Sequence, residues 1–170
     1  MEGLVMGKSI KKISVVVMTV MAIFVLAVAV CFGFYCFVQS GVVASLGEYD
    51  HSVFFTSGGF QDYTDYGKYY YTSAQIAENK YFKRIQETDL AEINEHIDDF
   101  EGWVETIRNG DASDEVAVNY DFDREIIDPE DYIHIESEKL TGSGYTTLAN
   151  YDVYFFDMQT QVLYFFHNNI

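Results

Sequence analysis

The sequence predicts an α+β protein, with an N-terminal transmembrane helix and a small domain in which an amphipathic helix packs on a three- to four-stranded antiparallel sheet. Three observations support this fold class. Residues 13–38 form an apolar run without charge, residues 90–107 carry an apolar stripe at helical spacing, and the aromatic C-terminal segment alternates as strands do. A chain of 170 residues has room for one small domain and an additional segment.

The apolar run of residues 13–38 is long enough to cross a bilayer. As a helix it would measure about 39 Å, and the hydrocarbon core is about 30 Å thick. Lys8, Lys11 and Lys12 precede the run, whereas the first charged residues after it are acidic. The positive-inside rule therefore predicts a single-pass protein of the cell membrane, with residues 1–12 in the cytoplasm and the C-terminal part outside it.

The run is interpreted as an uncleaved signal anchor. Ala44 would suit signal peptidase, but the apolar core of a cleaved signal is about 7–15 residues long and this run is longer. Cleavage after Ala44 stays open as the alternative. Both cysteines, Cys31 and Cys36, lie within the run, so the remainder of the chain has to fold without disulfides.

The part of the chain after the run is strongly acidic. Three of ten basic and one of 27 acidic side chains precede residue 39, which leaves seven and 26 and a balance of −19. Such a surface repels nucleic acid and anionic headgroups, and it attracts basic peptides and divalent cations. We therefore expect no nucleic-acid partner. The simplest interpretation of the charge is solubility and repulsion from the membrane surface.

Residues 39–67 are predicted to form a flexible tether, because they are rich in Gly, Ser, Asp and Tyr and show no sustained period. The folded domain is predicted to comprise residues 68–170, and its first segment, "KYYYT", has strand-like composition. The next segment is ambiguous. Thr72 and Gln75 fit a capping box and favour a helix, and a strand over residues 81–85 is the alternative.

A long amphipathic helix over residues 90–108 is the clearest element of the domain. Its apolar stripe recurs at alternating spacings of three and four residues. The stripe consists of Leu90, Ile93, Ile97, Phe100, Val104 and Ile107. Asp89 and Glu92 form a variant of the capping box before the helix, and Asn109-Gly110 predicts a left-handed stop after it.

Shorter elements follow the long helix. Trp103 borders its apolar stripe and is expected to cover the edge of the core. Ser113 is predicted to cap a short helix over residues 114–120. The segment "DYIHIES" alternates as a half-buried strand should, and residues 138–147 are predicted to form a loop.

The C-terminal segment "YDVYFFDMQTQVLYFFHNNI" is predicted to form a hairpin with its turn at residues 157–160. Phe156 is expected opposite Gln161, and neighbouring pairs point to alternate faces. One face is uncharged and is expected to pack under the long helix; it carries Tyr151, Val153, Phe155, Val162, Tyr164 and Phe166. The other face carries Asp152, Tyr154, Phe156, Gln161, Leu163 and Phe165.

Two surfaces are candidate interaction sites. The first is the centre of the second hairpin face, which is either covered by the same chain or a partner site. This candidate interaction patch consists of Tyr154, Phe156, Leu163 and Phe165. The second is the polar face of the long helix, which is either solvated or a docking surface for a basic partner or cations. This acidic docking face consists of Glu92, Glu95, Asp98, Asp99, Glu101 and Glu105.

The residue patterns predict no catalytic, cofactor or metal site. The histidines lack zinc-binding spacing and are expected at the surface or at a sheet edge. They are His51, His96, His134 and His167. Two acidic clusters lack the spacing of an EF-hand, so no cofactor is expected and calcium is the alternative left open. The clusters are Asp111, Asp114 and Glu115, and Asp121, Asp123, Asp128, Glu130 and Asp131.

Three segments carry a resemblance to known proteins: "DLAEINEHIDDFEGWVETI", "NYDFDREIIDPEDYIHIE" and the C-terminal hairpin. Together they resemble small single-span membrane proteins of Gram-positive, clostridia-like bacteria, for which no activity is assigned. The resemblance covers residues 81–170. It implies a location outside the cytoplasm, and it implies neither an activity nor site residues.

The leading functional prediction is a non-enzymatic interaction module, tethered to the membrane and exposed outside the cytoplasm, that recognises a peptide, a protein or an envelope component. The first alternative is a sensory or accessory subunit of a membrane complex that pairs with its partner through residues 13–38. The second alternative is a hydrolase with acidic catalytic residues, which would require two facing carboxylates in a cleft, one of them in an apolar wall.

Overall fold

The computed structural model describes residues 20–21, 23–26, 41–58, 62–142 and 145–169, and for residues 145 and 146 it describes the backbone alone. The chain divides into two compact units, Met1–Ala44 and Ser45–Ile170. The boundary lies after the predicted anchor and well before residue 68, where the sequence predicts that the domain begins.

In the first unit, residues 20–21, 23–26 and 41–44 are helical. The apolar side chains of residues 20–21 and 23–26 are between 60% and 68% exposed. No helix in the described part of the chain is long and apolar enough to span a membrane. The segment 1–12, which is predicted to be cytoplasmic, and most of the predicted transmembrane segment 13–38 lie outside the described residues.

The second unit is an α+β domain built on one antiparallel sheet, which confirms the predicted fold class at that level. The strands are β1 His51–Gly58, β2 Tyr63–Tyr70, β3 Lys83–Arg84, β4 Tyr132–Gly142, β5 Tyr145–Asp157 and β6 Val162–Asn169. Their order in the sheet is β1-β2-β6-β5-β4-β3. The helices are α1 Leu90–Gly110 and α2 Glu115–Asn119, with 3-10 turns at Glu87–Asp89 and Arg124–Ile126.

The sheet has six strands rather than three or four, and β1 and the first part of β2 lie in the predicted tether. The tether prediction for residues 39–67 is therefore corrected over these strands. Gly67 and the neighbouring polar residues weaken the strand signal, but β2 pairs with β6 from the other end of the chain, for example Tyr66 with Phe166. Because β2 and β6 lie far apart in the sequence, their pairing produces no local repeat that a sequence pattern could show.

Helix α1 confirms the predicted helix and the burial of the central residues of its stripe, whereas Leu90 is 37% exposed and Ile107 is half-buried. Both ends of the helix also differ from the prediction. Gly110 is still helical, and the helix ends at Asp111 with an extended φ of −143° rather than a left-handed one. Asp89 does not cap α1, because its carboxylate accepts the Gln86 N–H at 2.9 Å within the preceding 3-10 turn. The buried residues are Ile93, His96, Ile97, Phe100 and Val104.

Residues 72–82 form turns and not the predicted helix, and the alternative strand over residues 81–85 survives only as the two-residue β3. Long-range hydrogen bonds replace helical ones in this segment. The Gln75 N–H donates to Leu46 O at 2.9 Å, and the Tyr71 N–H donates to Gln161 O at 3.0 Å. Ile76 is buried, so the packing of its side chain also favours the irregular backbone of this segment over a helix.

Helix α2 is capped by Asp114 rather than by Ser113. The Asp114 carboxylate accepts the Val116 N–H at 2.9 Å and the Ala117 N–H at 3.3 Å. Ser113 instead donates to the Asp111 carboxylate at 2.7 Å. Both residue types cap helices well, so the choice depends on the backbone path after α1.

The C-terminal hairpin forms as predicted, with a register that differs by two residues. Phe156 pairs with Leu163 and not with Gln161, which lies in the turn at a φ of 57°. Asp157 begins the turn and accepts the Gln159 N–H at 2.7 Å. A shift of two residues leaves every side chain on its predicted face, because strand faces alternate with a period of two.

The predicted loop at residues 138–147 is a second hairpin. Strand β4 continues to Gly142 and β5 begins at Tyr145, with an irregularity in the pairing between Ser137 and Lys139. The core forms between α1 and the hairpin face that the sequence assigns to it. Its members include Ile93, Ile97, Phe100, Val104, Tyr66, Ile133, Tyr151, Val153, Phe155 and Phe166.

Candidate functional site

The sheet face opposite α1 carries three cross-strand rows, which follow from the strand registers. The apolar row at one end is Tyr69, Leu163, Phe156 and Tyr132. The middle row is Phe54, Gly67, Phe165, Tyr154 and His134. The polar row at the other end is Thr56, Asp65, His167, Asp152 and Glu136.

The candidate interaction patch lies in the first two rows and is buried, so it is not a surface for partners in this structure. Tyr154, Phe156, Leu163 and Phe165 are 2%, 0%, 0% and 1% exposed. The same chain supplies cover. Tyr71 contacts the Phe156 ring edge-on at 6.0 Å between centroids, and Phe54 stacks on Phe165 at 6.1 Å.

The acidic docking face is largely paired within the domain, because its cationic partners come from other elements. Lys139 of β4 contacts Glu95 at 2.7 Å, and Arg124 contacts Asp98 at 2.8 Å and also Glu101. The hydrogen bond that Arg124 donates to Asp98 is the main reason why the pKa of Arg124 is raised above its usual value. The sequence shows no lysine on this face of α1. The basic side chains that pair with its carboxylates come from other elements of the domain.

The remaining members of that face differ in their contacts. Asp99 accepts the Tyr151 hydroxyl at 2.9 Å, and burial together with this carboxylate raises the pKa of Tyr151. Glu105 contacts Arg108 at 3.7 Å. Glu92 is exposed, and its carboxylate has no partner among the described residues. A continuous unpaired acidic face is therefore not available to a basic partner.

Two histidines that the sequence predicts at the surface are buried. His96 is 1% exposed on the apolar side of α1, where its Nδ1 lies 2.8 Å from Glu92 O and its ring meets Tyr151 edge-on. His167 is 9% exposed and its Nδ1 lies 2.5 Å from an Asp152 oxygen. The Nε2 atoms of both rings are buried, and neither has a hydrogen-bond partner within the described part of the chain.

The polar row also contains a buried carboxylate. Asp65 is 3% exposed, and burial raises its pKa, whereas a hydrogen bond from Thr56 and the neighbouring His167 oppose that shift. The arrangement places one imidazole between two carboxylates across three strands. It supplies groups that could act as acid and base, and the ring of Tyr63 stacks on the His167 imidazole at 4.8 Å between centroids.

Carboxylates of the acidic clusters considered for calcium accept backbone hydrogen bonds in turns and helix caps. Asp114 and Asp123 cap α2 and the second 3-10 turn. Asp131, which is 1% exposed, accepts the backbone N–H groups of Asp128 and Met158 at 2.9 Å each, and burial raises its pKa. In the described ranges, no group of three or more acidic, histidine or cysteine side chains is arranged to hold a metal ion.

Strand β1 is an edge of the sheet, and among the described residues it pairs with β2 alone. Its sequence "HSVFFTSG" contains no lysine, arginine or carboxylate. The other long edge, on β4, carries Glu136, Glu138 and Lys139 and an irregular pairing, which are the features that protect edge strands from further pairing. The β1 edge lacks such protection.

Exposed apolar side chains are found on β1 and on the helix that contacts it. Phe54, on the face opposite α1, is 44% exposed, and its ring lies over Gly67, where a Cβ atom would approach Phe54 Cδ2 to 2.9 Å. On the other face, α2 contacts β1 and presents Val118, which is 61% exposed. Val116 of the same helix is part of the core, which fixes the orientation of α2.

The charge around this edge is negative. Asp62, which precedes β2, and Glu115, which begins α2, are exposed and have no ion-pair partner among the residues the structure describes. Lys68 of β2 is paired with Asp121 at 2.6 Å. Burial alone would raise the pKa of Asp121, but hydrogen bonds from Lys68 and Tyr66 lower it. The edge therefore favours a partner with positive charge.

A cavity of about 190 Å³ opens beside the C-terminal end of β1, between the sheet and the last turns of α1. Its lining includes Trp103 and Ile107 from α1, the end of β1, and the adjoining ends of β2 and β6. Thr64 and Asn168 are two of the polar residues in the wall and are joined by a hydrogen bond of 3.0 Å. Trp103 is half-buried, as predicted for the core edge.

No known protein family, no curated protein and no solved structure matches this chain. The resemblance to single-span membrane proteins stays a prediction. The β1 edge and its cavity were missed by sequence reasoning, because both depend on strands assigned to a tether. The one available signal was the apolar triplet Val53, Phe54 and Phe55 within that tether.

Proposed function

We propose that the protein is a membrane-tethered binding module whose domain lies outside the cytoplasm, and that it captures an extended segment of a partner protein as an additional strand along β1. The observation that carries the proposal is the β1 edge: unpaired in the described structure, free of Lys, Arg and carboxylate side chains, with Phe54 exposed on it and Val118 exposed on the helix that contacts it. Strand addition uses backbone hydrogen bonds for affinity and flanking side chains for selectivity.

The membrane anchor in this proposal is the apolar run of residues 13–38. Support comes from its length, the lysines that precede it, and the exposed apolar side chains of the described helical residues 20–21 and 23–26. The excess of acidic residues after the run favours a partner segment with basic residues. It also disfavours self-association along β1, because two copies of such a domain repel each other.

Photo-crosslinking in intact cells tests the proposal. A photoreactive amino acid is placed at position 54 or 118 of the full chain, and position 140 serves as the control, since Leu140 is 51% exposed on the charged β4 edge. We expect crosslinks from positions 54 and 118 to map to one short contiguous segment of the same partner, because the two positions flank a single strand. Position 140 should not yield that segment.

Two results would contradict the proposal. Crosslinks from positions 54 and 118 that map to unrelated segments would exclude a common bound strand. Loss of the partner when residues 13–38 are replaced by an unrelated span would favour the accessory-subunit alternative, in which the transmembrane segment makes the contact. Retention of the partner after that replacement supports recognition by the domain.

A further inference from the structure

We infer that the bound strand is anchored by an arginine side chain that enters the cavity beside Trp103. This inference rests on the proposed strand addition at β1 and names the chemistry of the partner. The cavity begins where β1 ends, since Ser57 and Gly58 form part of its lining. An added strand would therefore pass its mouth.

The volume of the cavity suits one side chain. At about 190 Å³ it corresponds to roughly six water molecules at ~30 Å³ each. Sites for complete small-molecule ligands are usually about 300–1,000 Å³. Within the strand-addition mode, pockets of this kind receive alternate side chains of the bound peptide and determine which sequences bind.

The direction of approach follows from the pleat of the sheet. Ser57 pairs with Thr64, and Thr64 pairs with Asn168, so the three side chains lie in one row on the face that α1 covers. A residue of an added strand that continues this row points to the same face. A long side chain at that position reaches the space in front of Trp103 and Ile107.

The chemistry of the lining favours a guanidinium group. Trp103 of α1 contributes an aromatic ring to the wall, Asp62 is an acidic residue of the lining, and none of the described lining residues is basic. A cation over an aromatic face gains about 0.5–2 kcal/mol, with Trp the strongest partner. The planar guanidinium stacks on aromatic rings and pairs with carboxylates in a way that the lysine ammonium does not.

An anionic side chain is disfavoured by Asp62 and by the acidic surroundings. An uncharged apolar side chain would use the ring of Trp103 but gain nothing from the negative charge of Asp62. An arginine side chain can contact both the aromatic and the acidic residue of the lining. Its positive charge is opposite in sign to the net charge of −19 in this part of the chain.

The test uses the full chain in detergent micelles and two synthetic eight-residue peptides of alternating threonine and valine. One peptide carries arginine at a central position, and the other carries citrulline, which has the same shape without the charge. Trp103 is the only tryptophan of the chain, so intrinsic fluorescence reports directly on the cavity. Hydrogen exchange of the β1 amides reports separately on strand addition.

We expect the arginine peptide to bind about tenfold more tightly than the citrulline peptide, with a change in Trp103 fluorescence. The substitution Asp62→Asn should remove most of that difference. Glu92→Gln is the matched control, since it removes the same charge from an exposed carboxylate elsewhere on the domain, and it should leave the difference intact.

The two readouts separate the possible failures. Equal binding of both peptides with protection of the β1 amides would overturn the arginine anchor and leave strand addition standing. A fluorescence response to N-acetyl-arginine amide, without protection of β1 by either peptide, would overturn strand addition and leave a guanidinium site. Absence of both signals would overturn both proposals. An equal effect of Asp62→Asn and Glu92→Gln would mean that the preference for the arginine peptide reflects general charge attraction, and it would overturn the arginine anchor.

Discussion

At the scale of single residues, Asp65 lies in the middle of a β-sheet, 3% exposed, with Thr56 on one side and His167 on the other. Burial raises its pKa because a charged carboxylate loses hydration inside the protein. The hydrogen bond from Thr56 and the charge of a protonated His167 reduce this cost without removing it. Asp65 is thus a carboxylate whose ionisation opposes folding.

The pH dependence of stability follows from the raised pKa of Asp65. Its protonated form is favoured in the folded state, so its stabilising contribution is present below the unfolded pKa of about 3.9 and is lost as the pH rises through the folded pKa. We expect Asp65→Asn to raise the melting temperature at pH 7 by about 4 °C, the order of a change of about 1 kcal/mol in a domain of this size.

The gain in melting temperature from Asp65→Asn should shrink as the pH falls towards 4. Thermal unfolding of both proteins between pH 7 and pH 4 measures it. Asp62→Asn is the control, because Asp62 is exposed. A gain for Asp65→Asn that stays constant over the whole pH range would show that ionisation of Asp65 is not its cause.

The aromatic side chains of the middle row have different roles, although the sequence pattern does not separate them. Phe165 is 1% exposed and Phe54 is 44% exposed, and the two rings are stacked on each other. We expect Phe165→Ala to lower the free energy of unfolding by about 3–5 kcal/mol through lost burial and the resulting cavity. Phe54→Ala should cost about 1 kcal/mol, in proportion to its partial burial.

Urea denaturation of the two variants measures this difference. Similar costs would mean that Phe54 is as much a part of the core as Phe165, and the β1 edge would then lose its exposed apolar flank.

At the scale of elements, local and non-local patterns differ in how well they predict the structure. The stripe of α1 and the alternation of the C-terminal hairpin are repeats within one segment, and both elements form. The register of that hairpin depends on the turn, where Gln161 leaves the ladder at a φ of 57°. Strands β1 and β2 have mixed composition: β2 depends on pairing with β6, which lies about a hundred residues away in the sequence, and β1 in turn pairs with β2.

Helix α2 provides a test at this scale, because two neighbouring residues are plausible caps. The Asp114 carboxylate accepts two backbone N–H groups at the start of α2, whereas Ser113 bonds to Asp111. We expect Asp114→Ala to lower the free energy of unfolding by about 1 kcal/mol, whereas Asp114→Asn should retain most of the stability that the cap provides. Ser113→Ala should have a smaller effect. The reverse order in chemical denaturation would restore Ser113 as the cap.

At the scale of the whole molecule, the proposed membrane tether rests on the charge distribution along the sequence. The basic residues that precede residue 39 cluster before the apolar run, and the acidic excess belongs to the part that follows it. The described domain closes one face of its sheet with α1 and buries the aromatic centre of the other. What it leaves open is the β1 edge.

Cysteine labelling tests the proposed topology. In a Cys31→Ser/Cys36→Ser background, a single cysteine is introduced at Ser113, which is exposed in the domain, or at Ser9, which precedes the apolar run. We expect a membrane-impermeant maleimide to label position 113 in intact cells and position 9 only after lysis. Labelling in the opposite order would reverse the topology, and labelling of neither position before lysis would place the domain inside the cell.

The sequence by itself determined the features that are local: the α+β class, helix α1 with its buried stripe, the C-terminal hairpin with its two faces, and the separation of charge along the chain. These depend on periods of two and 3.6 residues, which any one segment displays. Only the tertiary structure decided which surfaces are free. It buried Phe156 and Phe165 under the same chain, paired Asp98 with Arg124, and placed β1 at an unprotected edge. Each of these outcomes brings together residues that are distant in sequence, and no local pattern encodes such contacts.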